Sequence, residues 1–351
     1  MTESAVEIDV GLLDGFRFGC RPGCGLCCYA EPRVRIGERA RLVQIVPEVE
    51  FIGQGPDRFV RSRGDGGACE LLSENRCRAH TARPHPCREF PLTAHVGERL
   101  QATVVLSCPG VDLSALTRRY RGDETDRSPG FPEELAALRE RVDASTRRRL
   151  EEASRRRRKI RRSLEAEGRW EDESEVRRTL EASVPRPSDE DFPVTDPPSA
   201  EDGLDRLPLY FDGRAAPVAI AAGLGGWELV ELRPDGGVEE LLGVVPPPDR
   251  LPRVEPDAFG LLDGYLGYWL RRDALFGAVH LAMARSRDGA PVSAWVESEL
   301  RSIGALVLAR ADVRARQRRG TVDRLSADDL AEGIRATDQD LLDRESWGDR
   351  F

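Results

Sequence analysis

Lysine is all but missing from this 351-residue chain: Lys159 is the single one, and the other 52 basic residues are arginines. With no Gly-x-x-x-x-Gly-Lys run a P-loop is excluded, and Schiff-base chemistry has one candidate residue. Long apolar runs are also wanting. The longest uncharged stretch, Ala215 to Trp227, is rich in glycine and too short to cross a bilayer. Met1 to Gly15 is acidic and carries no apolar segment of the secretory kind, so no signal peptide is expected. These absences point to a soluble cytoplasmic protein, without a membrane partner, whose thiols stay reduced. A net charge of -9 and a pI near 5.3 exclude a generic nucleic-acid binder.

Cysteine is absent from everything after Cys108. All eight cysteines lie between Cys20 and Cys108, about 9% of that stretch, the density of a stapled or metal-held scaffold. The expected fold class is α+β in three sections. Residues 1–114 form a small cysteine-rich, metal-held domain, 115–205 a charged helical arm with a Pro-rich linker, and 206–351 an α+β domain of unassigned role.

The first section has 14 basic and 14 acidic residues in its first 110 positions and only short apolar runs. Metal–thiolate bonds would supply folding free energy that its core cannot. Its candidate strands are Arg33–Ile36, Arg58–Arg63 and Leu100–Ser107. In the second section Pro132-Glu133-Glu134 reads as a helix start. A thin apolar stripe of Leu135, Leu138 and Val142 continues through Leu150, Ile160 and Leu164. Between Arg147 and Arg162 lie ten basic residues against Glu151 and Glu152. Such a run is in the first place a solvated helix face, and in the second a patch for RNA or an acidic protein.

Pro185, Pro187, Pro193, Pro197 and Pro198 mark the linker. Beyond it Leu209–Phe211, Val218–Ile220, Trp227–Leu232 and Val238–Val245 read as strands, the last two joined by a turn at Pro234-Asp235-Gly236-Gly237. Phe259–Leu270 and the Val292, Val296, Leu300, Ile303, Val307 series read as helices, and the acidic tail from Ser326 is helical in part. This C-terminal section is expected to fold without metal. It offers no nucleophile elbow, HExxH or dinucleotide loop; Gly223-Leu224-Gly225-Gly226 is a turn, and His280 a core or surface histidine.

The chemistry is in the cysteines. The first group is Cys20-Arg-Pro-Gly-Cys24-Gly-Leu-Cys27-Cys28, and the rest are Cys69, Cys77, Cys87 and Cys108. A Cys-x-x-Cys such as Cys24/Cys27 lets two thiolates meet one metal, with Gly25 permitting the tight turn. Soft thiolates suit zinc or an iron–sulfur cluster, the 4Fe-4S type included. Disulfides need an oxidising compartment, and inert buried thiols would not gather so densely. Eight thiols could make two four-cysteine zinc sites or bind one cluster with cysteines to spare. Cys27 and Cys28 point to opposite faces of extended backbone, so they serve different sites or one stands behind the ligands. The Cys20, Cys24, Cys27 spacing also matches the triplet of radical S-adenosylmethionine enzymes, but no βα-barrel alternation follows it. Arg83 and Arg88 are placed to offset thiolate charge. Pro84, Pro86 and Pro91 set the path that presents Cys87, while His80, His85 and His95 are lesser ligand candidates.

Residues 20–108 resemble the YkgJ-like cysteine-cluster family of CxxCxxCC type. The resemblance rests on Gly25-Leu26-Cys27-Cys28, on Cys77 followed by Arg83-Pro84-His85-Pro86-Cys87-Arg88-Glu89-Phe90-Pro91, and on Cys108-Pro109-Gly110. Cys20 and Cys24 are separated by three residues where that family usually has two. The resemblance implies zinc or iron chelation, and through the family's flagellin lysine N-methylases an iron–sulfur cofactor. Two further functions compete with plain metal binding. One is a cluster-dependent enzyme, for protein methyl transfer or a redox step, with no catalytic residue singled out. The other is an interaction module with structural zinc, whose arginine arm meets a protein partner or RNA.

Overall fold

A computed structural model describes residues 6–21, 23–29, 32–54, 57–64, 67–121, 130–188, 209–210, 218–223, 226–235, 237–246, 250–341 and 349–350. The helices are α1 (Ile36–Ile45), α2 (His85–Glu89), α3 (Ser114–Arg121), α4 (Pro132–Arg141), α5 (Ala144–Ala166), α6 (Glu173–Ala182), α7 (Phe259–Leu270), α8 (Asp273–Arg285), α9 (Val292–Arg319) and α10 (Ala327–Leu341). The strands are β1 (Ile8–Asp9), β2 (Phe51–Gln54), β3 (Asp57–Val60), β4 (Leu72–Ser73), β5 (Arg76–Cys77), β6 (Leu92–Val96), β7 (Leu100–Val104), β8 (Leu209–Tyr210), β9 (Val218–Gly223), β10 (Gly226–Leu232), β11 (Val238–Val245), β12 (Arg253–Val254), β13 (Arg324–Leu325) and β14 (Asp349–Arg350). The class is α+β, as the sequence implies.

Local chemistry explains where the long helices start. Asp143 caps α5 by accepting from the Ser145 and Thr146 amides at 2.8 and 3.1 Å. Asp172 does the same for α6, and Ser326 with Asp329 makes a reciprocal box at the start of α10. Pro132 opens α4 with Glu133 and Glu134 in its first turn, as read from the sequence. One strand reading is overturned. Arg33 only bridges to Phe59, and Ile36 begins a helix because Glu38 reaches back to the Arg35 amide at 3.0 Å.

The main sheet runs β1-β7-β6-β14 and a second runs β11-β10-β9-β8. The expected strands at Leu209, Val218, Trp227 and Val238 all lie in the second sheet. Residues 189–208, which hold most of the expected linker, lie outside the described residues, as do Gly236 and 342–348 of the tail.

The three sections are not packed in succession. One hydrophobic core draws on Leu13, Phe16 and residues between Leu92 and Leu113 of the cysteine region, on Ala115, Leu116 and residues between Phe131 and Leu180 of the arm, and on residues between Leu251 and Leu341. The sections the sequence separates thus contribute to one core. Its seams are tight: a Cβ on Gly264 of α7 would stand 2.2 Å from the Leu116 carbonyl of α3, and one on Gly333 of α10 would stand 2.4 Å from the Val307 carbonyl of α9. A smaller core of Val34, Leu42, Val60, Cys69 and Leu71 backs the cysteines.

Polar groups cross the main seam. The Tyr268 hydroxyl accepts from the Val104 amide at 2.8 Å, and the Asp338 carboxylate accepts from the Leu106 amide at 2.7 Å and from Arg272 at 3.2 Å. His280 is a core histidine, fully buried against Trp170 at 4.6 Å between ring centroids. Neither of its ring nitrogens has a hydrogen-bond partner among the described residues. Burial, with the Arg157 and Arg177 charges, pushes its pKa down to about 3. The native state therefore holds His280 neutral while the unfolded chain protonates near pH 6.5, so its contribution is complete above about pH 6.5 and is lost as pH falls towards 3. His280→Leu should flatten the loss of stability between these limits, measured by urea unfolding at stepped pH. An unchanged pH profile would remove His280 from the cause.

Candidate metal centre

Backbone geometry gathers the cysteines from four loops. Gly23 and Gly25 adopt left-handed φ of 76° and 63°, turning the chain between Cys20, Cys24 and the short 3-10 turn Leu26–Tyr29 that carries Cys27 and Cys28. The Gly19 amide donates to the Gly110 carbonyl at 3.0 Å, which ties this loop to the one bearing Cys108. The Cys69 amide donates to the Cys28 carbonyl at 2.6 Å, bringing in the third loop. β4 and β5 form a hairpin whose turn residues Glu74 and Asn75 both have positive φ, as a type I′ turn requires, and this sets Cys77 opposite Leu72.

Cys87 sits within α2. Arg88 donates to Glu140 of α4 at 3.0 Å, and Arg141 of α4 pairs with Glu89, so reciprocal ion pairs bolt α2 to the arm. Below them the Glu38 carboxylate accepts from the His85 amide at 2.9 Å. Burial alone would raise Glu38, but the hydrogen bonds from His85 and the Arg35 amide hold it down to about 2.

The thiols respond to one another. Cys27 lies within electrostatic reach of Cys20, Cys24, Cys28, Cys77, Cys87 and Cys108. A hydrogen bond donated by the Cys28 thiol, with the Arg83 charge, brings Cys27 down to about 7. Cys28 is correspondingly pushed up, first by that bond and then by burial. Burial drives Cys69 and Cys108 up to about 12 and Cys87 well above the usual thiol range. Cys20 and Cys27 are exposed, Cys69 and Cys108 buried, and the others half-buried.

Residues 19–109 match the CxxCxxCC family model, described as "Putative zinc- or iron-chelating domain".

No curated protein and no solved structure matches the chain. The donor chemistry of residues 19–109 fits zinc or iron, since they offer eight soft thiols and the Arg83 charge acts on four of them. Among the described residues no three Cys, His, Asp or Glu side chains already converge as a ligand set.

The other expected participants divide. Arg83 acts on Cys20, Cys27, Cys77 and Cys87 and donates to the Cys87 carbonyl at 3.3 Å. Arg88 does not share that role, because Glu38 and Glu140 engage it. His80 is exposed, His85 is tied to Glu38, and His95 is buried in β6.

Arg335 of α10 is the residue the sequence reading missed. Its guanidinium donates to the carbonyls of Leu106 (3.1 Å), Cys108 and Val111 (2.9 Å), holding the Cys108 loop from the far end of the chain. Burial lowers its pKa to about 10. Arg335→Gln should cost about 1–3 kcal/mol, because it leaves buried carbonyls short of donors. It should also loosen the Cys108 loop, read as faster alkylation of Cys108 by iodoacetamide. Unaltered labelling would show that the loop holds its shape without the guanidinium.

Proposed function

We propose that the CxxCxxCC domain holds zinc or an iron–sulfur cluster through Cys20, Cys24, Cys27, Cys28, Cys69, Cys77, Cys87 and Cys108. The observation that carries this reading is the match of residues 19–109 to a chelating-domain model, joined to backbone contacts that draw the cysteine loops into one region. Two loop pairings support it. The Gly19–Gly110 bond brings Cys108 to the Cys20–Cys24–Cys27 side, and the Cys69–Cys28 bond brings Cys69 and Cys77 to the Cys28 side. Adjacent cysteines thus serve opposite halves of one polythiolate centre.

Cys27, with its thiol lowered to about 7, is the first anchor; the buried thiols surrender their protons as they become ligands. Arg83 offsets part of the accumulated negative charge. When bound, iron–sulfur would supply electron transfer and zinc would supply structural cross-linking. The decisive experiment is anaerobic purification with metal and sulfide analysis and an absorption spectrum. Iron with acid-labile sulfide identifies a cluster, and stoichiometric zinc without a visible band identifies structural sites. Protein that keeps neither overturns the proposal.

A second reading concerns the arm. Its inner face is structural, since Ala153, Ile160 and Leu164 enter the main core and Arg157 pairs with Glu173 at 2.7 Å and with Glu98. Its outer face exposes Arg155, Arg156, Arg158, Lys159 and Arg162, a surface suited to an acidic protein. The triple change R155Q/R156Q/R158Q should leave metal content unchanged and stability within about 0.5 kcal/mol. Salt-sensitive RNA binding that disappears in this variant would assign the face to nucleic acid instead; a large loss of stability would make it part of the fold.

A further inference from the structure

A groove far in sequence from every cysteine has the makings of a second binding site. It has a volume of about 450 Å³ and is walled by Val254, Phe259, Leu262 and Leu308, with Arg186, Arg250, Arg253 and Arg324 about its rim. Topology forces two of these cations together. β12 and β13 pair in parallel with Arg253 and Arg324 as direct Cα partners, so both side chains leave the same face of a two-stranded ribbon. Like charges directly opposite one another in a sheet are destabilising unless something answers them. Among the described residues no carboxylate pairs with Arg250, Arg253 or Arg324, and all three are exposed.

Arg186 differs from the others. It is held by the buried Asp263 carboxylate, with Nε to Oδ1 at 2.8 Å, and lies over the Phe259 ring at 5.0 Å. That ion pair fixes one end of the groove and leaves an excess of positive charge at the ribbon end.

We propose that this groove binds a phosphomonoester carrying a flat, apolar body. Guanidinium groups offer forked donors that match phosphate oxygens, and several of them around one dianion gain charge-assisted bonds that a lone surface arginine cannot. Phe259, Leu262 and Val254 offer the apolar wall for the body of the ligand. The volume falls within the range of small-molecule sites and exceeds what inorganic phosphate would fill. The inference is independent of the metal centre, since no groove residue lies in the CxxCxxCC domain.

The test uses the full-length protein, as purified with its metal. Adenosine 5′-monophosphate and 1-naphthyl phosphate are titrated calorimetrically, with adenosine and inorganic phosphate as the separated halves. Saturable binding of one or both esters is expected, about tenfold or more tighter than either half. R253Q/R324Q should weaken it by about tenfold or more while retaining the wild-type melting temperature and metal content. R250Q, outside the ribbon, provides a second variant should the double change disturb the strands, and it should weaken binding in the same direction. Binding that neither variant weakens, or no saturation by either ester in the millimolar range, would overturn the proposal. Phosphate binding as tightly as the esters would strip the apolar wall of its role and overturn it equally.

Discussion

Asp338→Ala should destabilise the protein by about 3–5 kcal/mol, enough to take most small folds to the edge of unfolding. Asp338 is fully buried and answers three groups at once: the Arg272 guanidinium, the Leu106 amide and, at 3.5 Å, the Tyr265 hydroxyl. Arg272 is itself almost fully buried, with its guanidinium 4.1 Å from the Trp269 ring centroid, so it cannot swing out to water. Truncating the carboxylate leaves a cation without its counter-charge and an amide without an acceptor, and the cost of desolvating both is no longer offset. Asp338→Asn keeps an acceptor for the amide and should recover part of the loss. Urea midpoints of the three proteins decide the matter. A loss below about 1 kcal/mol in the alanine variant would mean that Arg272 finds another partner.

Cys87→Ser should remove most of the bound metal and open residues 20–108 to protease, whereas Cys20→Ser should keep more of both. Cys87 is held within α2 by the Arg88–Glu140 and Arg141–Glu89 pairs and lies within electrostatic reach of Cys27, Cys69 and Cys77. A ligand fixed this way is pre-organised, and no adjacent thiol can move into its place. Cys20 is exposed on the entry loop, with Cys24 and Cys27 within electrostatic reach to take over. Metal analysis and limited proteolysis of the two variants give the ranking. Equal losses would contradict it, and full metal retention in Cys87→Ser would remove Cys87 from the ligand set.

The parts of this protein that sequence discloses are those in which chemistry is local. The Cys24-Gly25-Leu26-Cys27-Cys28 run carries its own turn glycine, and Val238–Val245 carries its own hairpin signal. α7 is marked by its run of Leu, Tyr and Trp269, and the apolar residues of α9 recur at helical spacing. α1 was hidden because Val34 and Ile36 look like a strand until Glu38 is seen to close on Arg35. α8 is hidden for the opposite reason: Ala274, Ala278, Leu281 and Ala284 flank the buried arc of Leu275, Phe276, Val279 and Met283, so apolar residues run nearly all round it and blur the one-sided pattern. Arg335 carries no local mark at all, since its three acceptors lie 224 to 229 positions away. The shared core was equally illegible, because a proline-rich stretch announces a break in the chain and says nothing about which surfaces meet across it.

The tip of the β10–β11 hairpin reaches the cysteine region, where the Ala68 amide donates to the Pro234 carbonyl at 2.7 Å beside Cys69. This single bond makes the Ala68 amide a two-sided gauge. Its exchange with deuterated water requires the hairpin tip to lift, which removes one tie on the loop that carries Cys69 and leaves the Cys69–Cys28 and Arg63–Ala68 bonds in place. By thermodynamic reciprocity, to the extent that the two are coupled, whatever tightens the Cys69 loop slows that exchange, and whatever grips the hairpin steadies the loop by the same factor. The second sheet is therefore a lever on the thiols as well as a neighbour of them.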